Sequence, residues 1–463
     1  MQHVPADLVR RLETHNQEHL LRGWDDLAVP QRVALTQQLA GLDLALIERL
    51  YARRDEVESL PPASDIRPIP VVEPQSVSAD DVRLGHESLL RGEVAVLLVA
   101  GGQGTRLGFD RPKGMYPIGP VTQRSLFAIH AHKVLALRRR YGRAIPFLIM
   151  TSPITDIDTR EYFAANDCFG LPHDEVHFFC QGTMPAVDID TGRILLEAPG
   201  VLFASPNGHG GTLTALADSG LLDDLRSRGI RTVFYLQVDN PLVRIADPVF
   251  LGAHIAARSE ASSRSIDKAF PKEKMGVLAL LRGRCGIIEY SDLPDDLAHA
   301  LDADGRLSYS AGSPAVHLFD VDFLTRVTRG ETRLPFHVAR KKVPCLNDAG
   351  EFVQPTRENA LKFEMFVFDA LPMADRWLTM RTTREEEFAP LKNATGADSP
   401  ESVRQSLSNL YHRWLVQAGA TVPMDDAGNA AVALEVAPTF ALDGDEMQAR
   451  LMAGQTIDAP RVW

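Results

Sequence analysis

The chain has 463 residues, more than one hydrophobic core usually supports, so two or three domains are expected. Its 45% hydrophobic and 24% charged residues are ordinary for a soluble globular protein, and no apolar stretch reaches the length of a membrane span. A net charge of −12 argues against nucleic acid as the main partner but leaves room for a small anionic ligand, because local cations govern a pocket. The opening MQHVPADLVRRLETHNQEHL lacks the apolar core of a signal peptide. The four cysteines, Cys168, Cys180, Cys285 and Cys345, form no CxxC pair, which reads as reduced thiols in the cytoplasm.

Residues 5 to about 55 carry helical periodicity, with Leu8 and Leu12, then Val33, Leu39, Leu42, Leu46 and Leu50 at three- and four-residue spacing. Pro61, Pro62, Pro68, Pro70 and Pro74 mark an extended connector. From Val94, strands and helices alternate. VAVLLVA is followed by a helix from Ser125, which can cap it. Then come IPFLIMT, REYFAAND, VHFFCQG, the helix GTLTALADSGLLDDLRSRG and the strand TVFYLQVDN. Near-continuous apolar strands separated by helices imply a mostly parallel sheet covered on both faces. A second set of strands and turns runs to about residue 390, and the tail to Trp463 is mixed. The expected division is an N-terminal helical layer and linker (1–90), a central α/β domain (91–388) and a small C-terminal domain (389–463).

The loop after VAVLLVA carries the chemistry. In a parallel sheet, ligands bind beyond the carboxyl ends of the strands, where loop amides face anions and glycines let the backbone approach phosphate. Two familiar phosphate-binding patterns fail here. GxGxxG would need glycine at 107, where Leu107 stands, and GxxxxGK[ST] is absent because Lys113 follows Pro112 and precedes Gly114. The first failure disfavours a nicotinamide-dependent oxidoreductase. The loop instead reads LxxGGxGTRLGxxxPKG, with Leu98, Gly101, Gly102, Gly104, Thr105, Arg106, Leu107, Gly108, Pro112, Lys113 and Gly114 in place. Glycines also serve plain turns, but a purely structural loop does not explain eleven matched positions with two cations among them.

In this loop and in a series of ordered motifs, the sequence resembles the eukaryotic-type UDP-sugar pyrophosphorylase family, on its N-acetylglucosamine branch. HLLRGWDDL looks like the family's N-terminal helix; FFCQGTMPA carries Gln181; SPNGHGGTLTAL matches a second glycine loop; VDNPLVRIADPVFLG carries Asp239. MGVLALLRGRCGIIEYSDL holds Gly276 and Glu289, and NALKFEMFVFDAL and REEEFAPLKNA complete the set. The resemblance spans about residues 19 to 420. It implies a Rossmann-like, GT-A-type nucleotidyltransferase that makes a UDP-sugar and pyrophosphate from UTP, Mg²⁺ and a sugar 1-phosphate. Both reactants are polyanions, so this chemistry needs positioning and fixed cations and no nucleophilic side chain. By analogy with the family, Arg106 serves the β,γ-phosphates, Lys113 the α-phosphate and Lys392 the sugar phosphate. Asp239 holds Mg²⁺. Leu98, Ala100, Gly101, Gly102, Gly104, Thr105, Gly208 and His209 surround the nucleotide, with Gln181 reading the uracil edge. Gly276, Glu289, Ser310, Ser313, Phe366 and Phe368 surround the sugar. A non-catalytic nucleotide-sugar sensor is the rival from another class; retention of all three cations and Asp239 disfavours it.

Two departures bear on the sugar. His209 stands where the N-acetylglucosamine enzymes typically carry asparagine; histidine at this place is typical of the UDP-glucose branch. Ser310 and Ser313, in SYSAGSPAVHLF, replace both asparagines of an NAGN core, leaving shorter side chains without the amide's paired donor and acceptor. Phe366 and Phe368 favour an acetamido group, so N-acetylglucosamine 1-phosphate is expected, with UDP-glucose or broad-specificity synthesis as the alternative. Other motifs read as structural. HNQEH (His15, Glu18, His19) would put two histidines on one helix face but lacks a distal zinc ligand. The two DID triplets, Asp156–Asp158 and Asp188–Asp190, read as turn carboxylates.

Overall fold

Residues Val94–Leu98 of the apolar run are each at most 1% exposed, which is why the sequence shows no alternation there: both faces of the strand are covered. In the computed structural model, which describes residues 4–56, 60–330 and 334–463, this run is the strand Val94–Val99. It lies parallel between Phe147–Thr151 and Thr232–Gln237, and Val176–Cys180 continues the parallel run beyond Phe147–Thr151. From Thr232–Gln237 the sheet extends the other way through the antiparallel strands His317–Asp320, Ala261–Asp267, Ala311–Gly312, Val277–Leu281 and Ile66–Pro68. Arg284–Ile288 pairs with Val277–Leu281, and Trp377–Arg381 runs parallel beside Ala261–Asp267. The fold is therefore α/β around one large sheet, parallel in the half that carries the glycine loop.

The chain divides into two compact units that are interleaved in sequence. The larger comprises 61–181, 212–333 and 368–463 and contains the large sheet. Its core joins Leu98, Phe127, Phe147, Phe234 and Phe250 to Leu407, Tyr411 and Leu434 of the tail. Ser125 caps the helix Leu126–Tyr141, accepting from the Ala128 amide at 3.1 Å. The expected helix 211–229 is two helices, Gly211–Asp218 and Leu221–Ser227, broken at Gly220 with φ 79°.

The smaller unit gathers 1–60, 182–211 and 334–367. The helices Ala6–Thr14, Val29–Ala40 and Leu44–Ala52 bury Leu8, Leu12, Leu35, Leu39, Leu44 and Ile47 against Val187, Ile194, Leu196, Leu361 and Phe363. The buried Gln17 donates to the Gly192 carbonyl at 3.1 Å and accepts from the Ile194 amide at 2.9 Å. The apolar stripe is phased differently from the sequence reading: Val33 is 39% exposed, whereas Leu44 and Ile47 are buried.

These units cut across the contiguous division 1–90, 91–388 and 389–463, whose first three residues lie outside the described ones. Residues 79–91 form a helix that meets Pro248–Ala256 of the larger unit backbone to backbone, with glycine at both crossing points. A Cβ at Gly85 would stand 2.0 Å from the Pro248 carbonyl oxygen, and one at Gly252 2.0 Å from that of Asp81.

Candidate functional site

In the larger unit, the chain leaving Val99 forms a hairpin. Gln103–Gly104 pairs with Phe109–Pro112, and Thr105–Leu107 turns between them, ending at Gly108 with φ 66°. Lys113 donates its backbone N–H to the Gly102 carbonyl at 3.0 Å, closing the loop. Gly114 anchors it, because a Cβ there would stand 2.2 Å from the Phe127 ring. Leu98 and Ala100 are fully buried, so they can offer a ligand only backbone. Thr105 and Arg106 lie exposed on the turn.

Gln181 follows Val176–Cys180, its amide held by the Thr151 carbonyl at 2.9 Å. Its side-chain oxygen stands 2.8 Å from where a Cβ on Gly101 would be. Only glycine at 101 allows that approach. The Gly101 carbonyl in turn accepts from Ser152 Oγ at 2.8 Å. Two stretches eighty residues apart in sequence are thus brought to one place beside the glycine loop.

Asp239 lies two residues beyond the strand Thr232–Gln237, in a turn, rather than ending the strand as the sequence suggested. The Val238 amide donates to Val99 at 3.0 Å, tying this turn to the start of the glycine loop. The Val238 carbonyl accepts from Nε2 of His130 at 3.0 Å. Burial, with Lys133 adding to it, lowers the His130 pKa to about 3, so the ring is neutral with its proton on Nε2. The Asp239 carboxylate is 13% exposed and lies 3.9 Å from the Lys113 ammonium. Its backbone carbonyl accepts from the Leu391 amide at 2.8 Å, which brings Lys392 to the same turn. The Lys392 ammonium stands 5.7 Å from the Phe388 ring centroid. Asp398, which the sequence reading missed, adds a second carboxylate here. Burial raises its pKa, Lys392 and Arg384 oppose the shift, and the negative charge of Asp239 reinforces it. No sequence signal distinguished it from an ordinary loop aspartate.

Of the residues assigned to the sugar, Gly276, Glu289, Ser310, Ser313 and Phe368 belong to this unit. The Gly276 carbonyl accepts from the Ser313 amide at 2.9 Å, and Glu289 Oε1 is 3.9 Å from the position of a Cβ on Gly276. Ser310 and Ser313 flank the short strand Ala311–Gly312; the Ser310 carbonyl accepts from the Lys268 amide at 2.9 Å, and Ser313 Oγ from that of Ala315 at 3.3 Å. Phe368 is half-buried in the turn Val367–Met373.

Gly208, His209 and Phe366 belong to the smaller unit. Gly208, with φ 83°, would place a Cβ 2.3 Å from the Met365 carbonyl oxygen. His209 Nδ1 accepts from the Val367 amide at 3.2 Å, so in the neutral ring Nε2 carries the proton. The Phe366 ring packs against two imidazoles, with centroids 5.3 Å from His209 and 4.7 Å from His337. His337 was not singled out from sequence, because it stands far from any motif.

The remaining motifs have structural partners. The first helix stops at Thr14 and Asn16 takes φ 55°, so His15 and His19 do not share a helix face. His15 pairs with Glu48 at 2.8 Å and His19 with the Ile194 carbonyl at 2.8 Å. Asp156–Asp158 opens the helix Asp156–Ala165 rather than a turn, with Asp156 paired to Arg160 at 2.8 Å. Asp188 ends the short strand Val187–Asp188, and its Oδ1 accepts from the Thr191 amide at 2.8 Å across the turn that follows, which holds Asp190.

Residues 48–428 match the family described as UTP–glucose-1-phosphate uridylyltransferase. UDP-N-acetylglucosamine diphosphorylase 2 of Arabidopsis thaliana is 37% identical, covering 98% of this chain and 93% of that protein. The UDP-N-acetylglucosamine pyrophosphorylase of Saccharomyces cerevisiae is 40% identical over 73% of each chain. Among solved structures, the uridine diphosphate N-acetylglucosamine pyrophosphorylase of Trypanosoma brucei, in complex with an inhibitor, aligns with a TM-score of 0.79 at 28% identity, covering 97% of this chain and 95% of that one.

Proposed function

We infer the reaction from one premise: the chain belongs to the UTP–glucose-1-phosphate uridylyltransferase family. It is a UTP:sugar-1-phosphate uridylyltransferase, and its sugar substrate is N-acetylglucosamine 1-phosphate. The observation that supports this most is the meeting of the glycine loop, Lys113, Asp239 and the Leu391–Lys392 step around one turn at the parallel half of the large sheet; we read that sheet as Rossmann-like and GT-A-type.

An oxygen of the sugar phosphate attacks the α-phosphorus of UTP; the new P–O bond forms as the bond to the β-phosphate oxygen breaks, and pyrophosphate leaves with the electron pair. No side chain gains or loses a covalent bond. Gln181 pairs with the uracil edge while the loop backbone from Leu98 to Thr105 holds the nucleotide. Lys113 faces the α-phosphate, Arg106 the departing phosphates and Lys392 the incoming phosphate, so that two polyanions can approach and developing charge is met by fixed cations. Asp239 is the carboxylate that would hold Mg²⁺. Its partly exposed carboxylate suits an ion that takes its other ligands from phosphate oxygens and water, and the bound ion would neutralise phosphate charge. Gly276, Glu289, Ser310 and Ser313 hold the sugar, with Phe368 walling its acetamido methyl. The central region 91–388 carries nucleotide and sugar, residues 389–463 supply Lys392, and 1–90 is a supporting layer.

A second reading, UDP-glucose or broad-specificity synthesis, is favoured by Ser310, Ser313 and His209, which lack the amides expected for an acetamido sugar. Pyrophosphate release from UTP with a panel of sugar 1-phosphates decides between them. Preference for glucose 1-phosphate above about tenfold, roughly 1.4 kcal/mol of transition-state binding, would favour the second reading. No release with any sugar would leave a nucleotide-sugar sensor. We place the reaction in the cytoplasm, with UTP and a sugar phosphate as partners and neither nucleic acid nor membrane. The four thiols are unpaired, and among the described residues no helix is long and apolar enough to cross a membrane.

A further inference from the structure

The residue after Asp239 has no role in this reading, yet its side chain is used on every side. Asn240 is 3% exposed. Its Nδ2 donates to the Glu387 carbonyl at 2.7 Å, and its Oδ1 accepts from the Ala389 amide at 3.1 Å and from its own neighbour, the Leu242 amide, at 3.3 Å. One amide therefore clamps both ends of Glu387–Ala389, three residues before Lys392, to the turn that carries Asp239. Leu391 adds the backbone bond to Asp239 itself.

Glu387 is held from behind by a buried ion network. The Arg264 guanidinium, on the central strand Ala261–Asp267, lies 3.2 Å from the Glu387 carboxylate and is also paired with the carboxylate of Asp247. Arg264, Glu387 and Asp247 are each at most 5% exposed, and Arg244 approaches Asp247 at 3.7 Å. Charges this deep are costly unless paired, so the ion pair ties Glu387 to the strand Ala261–Asp267. What Asn240 fastens to Asp239 is thus a firmly held segment.

We propose that Asn240 is a positioning residue that sets Lys392 against Asp239, so that the cation for the incoming phosphate and the carboxylate for the metal move as one body. This rests on the uridylyltransferase reading, and on Lys392 meeting the sugar phosphate within it. Asn240 touches no substrate in this scheme; it acts through the 387–392 segment. A local amide in place of a longer contact suits the task, because a 1 Å displacement of a charge at a reacting phosphate is enough to lose most of its effect.

Two double-mutant cycles on full-length protein test it, reading kcat and KM for both substrates by pyrophosphate release, with melting temperatures to confirm folding. The variants are Asn240→Ser, Lys392→Ala, Gln181→Ala and the two doubles that combine Asn240→Ser with each of the others. Asn240→Ser should lower kcat roughly tenfold or more on its own and by less than about threefold in the Lys392→Ala background, since coupled residues are non-additive. With Gln181→Ala its effect should multiply in full. A merely structural role would give full multiplication in both cycles, and that result, with Lys392→Ala itself slow, overturns the positioning role alone. Wild-type turnover by Lys392→Ala would overturn it together with the assignment it rests on. No pyrophosphate from the unmutated protein would count against the uridylyltransferase reading itself, and with it the proposal. Should Asn240→Ser not fold, Asn240→Asp keeps the acceptor for Ala389 and removes the donor to Glu387, and its cycles are read by the same criteria.

Discussion

Gly101→Ala isolates the approach of the glycine loop to Gln181. The added Cβ would lie 2.8 Å from Gln181 Oε1, closer than carbon and oxygen pack, and 3.4 Å from Ser152 Cβ, an ordinary contact. Gly101 does not occupy the left-handed region, so alanine brings no backbone strain. The Gln181 main chain is held by Thr151, leaving the amide end as the part that yields. Swinging it aside removes one or two hydrogen bonds to uracil, about 1 kcal/mol each. The KM for UTP should therefore rise roughly 5- to 30-fold. The same contact is made in the ground and transition states, so kcat should stay within about threefold. The assay is initial-rate pyrophosphate release against UTP concentration, with a melting curve to confirm the fold. Gln181→Ala should raise the UTP requirement similarly, and Gly101→Ala added to it should do little more. An unchanged KM for UTP in folded Gly101→Ala protein, or full multiplication of the two effects, would refute the placement of uracil beside Gln181.

Asp239→Ala should melt within a few degrees of the parent but lose roughly a hundredfold or more in Mg²⁺-dependent turnover; ordinary turnover at ordinary Mg²⁺, or Mg²⁺ affinity in calorimetry equal to the parent's, would remove the metal assignment. Ser313→Asn should raise the kcat/KM preference for N-acetylglucosamine 1-phosphate over glucose 1-phosphate by roughly tenfold, since a hydrogen-bonding group discriminates more than an apolar wall; an unchanged ratio would show that this side chain does not face the sugar. Burial lowers the pKa of His130 to about 3 and of His254 to about 4, against 6.5 ordinarily. The unfolded chain therefore takes up protons that the folded one refuses: stability is full above pH 6.5 and falls as pH drops toward 3 to 4, by about 1.4 kcal/mol per group at pH 5.5. Denaturant melts of the parent and of His130→Gln and His254→Gln between pH 7.5 and 5 should show a shallower slope in each variant, and equal slopes would refute the burial argument.

Legibility in the sequence followed how local the determinant was. Strands covered on both faces must be apolar throughout, so VAVLLVA, IPFLIMT and TVFYLQVDN could be recognised without knowing their neighbours. The Ser125 cap is one residue accepting from another three positions on, and it too was readable. The glycine loop declared itself because close backbone approach admits few residue types at Gly101 or Gly114. Where a local signal competed with packing, the reading slipped. Gly220 split one expected helix, the helix before His15 ended early, and the N-terminal stripe turned to bury Leu44 and Ile47. Tertiary structure alone decided what meets across long separations. Gln181 comes to Gly101, Leu391 bonds to Asp239, Asn240 clasps Glu387 and Ala389, and residues 182–211 and 334–367 join the N-terminal helices. Periodicity specifies which face of a segment is buried, but the partner on that face is fixed only by strand register and the chain's crossings, and so the bond from Leu391, next to Lys392, to Asp239 had to wait for the fold.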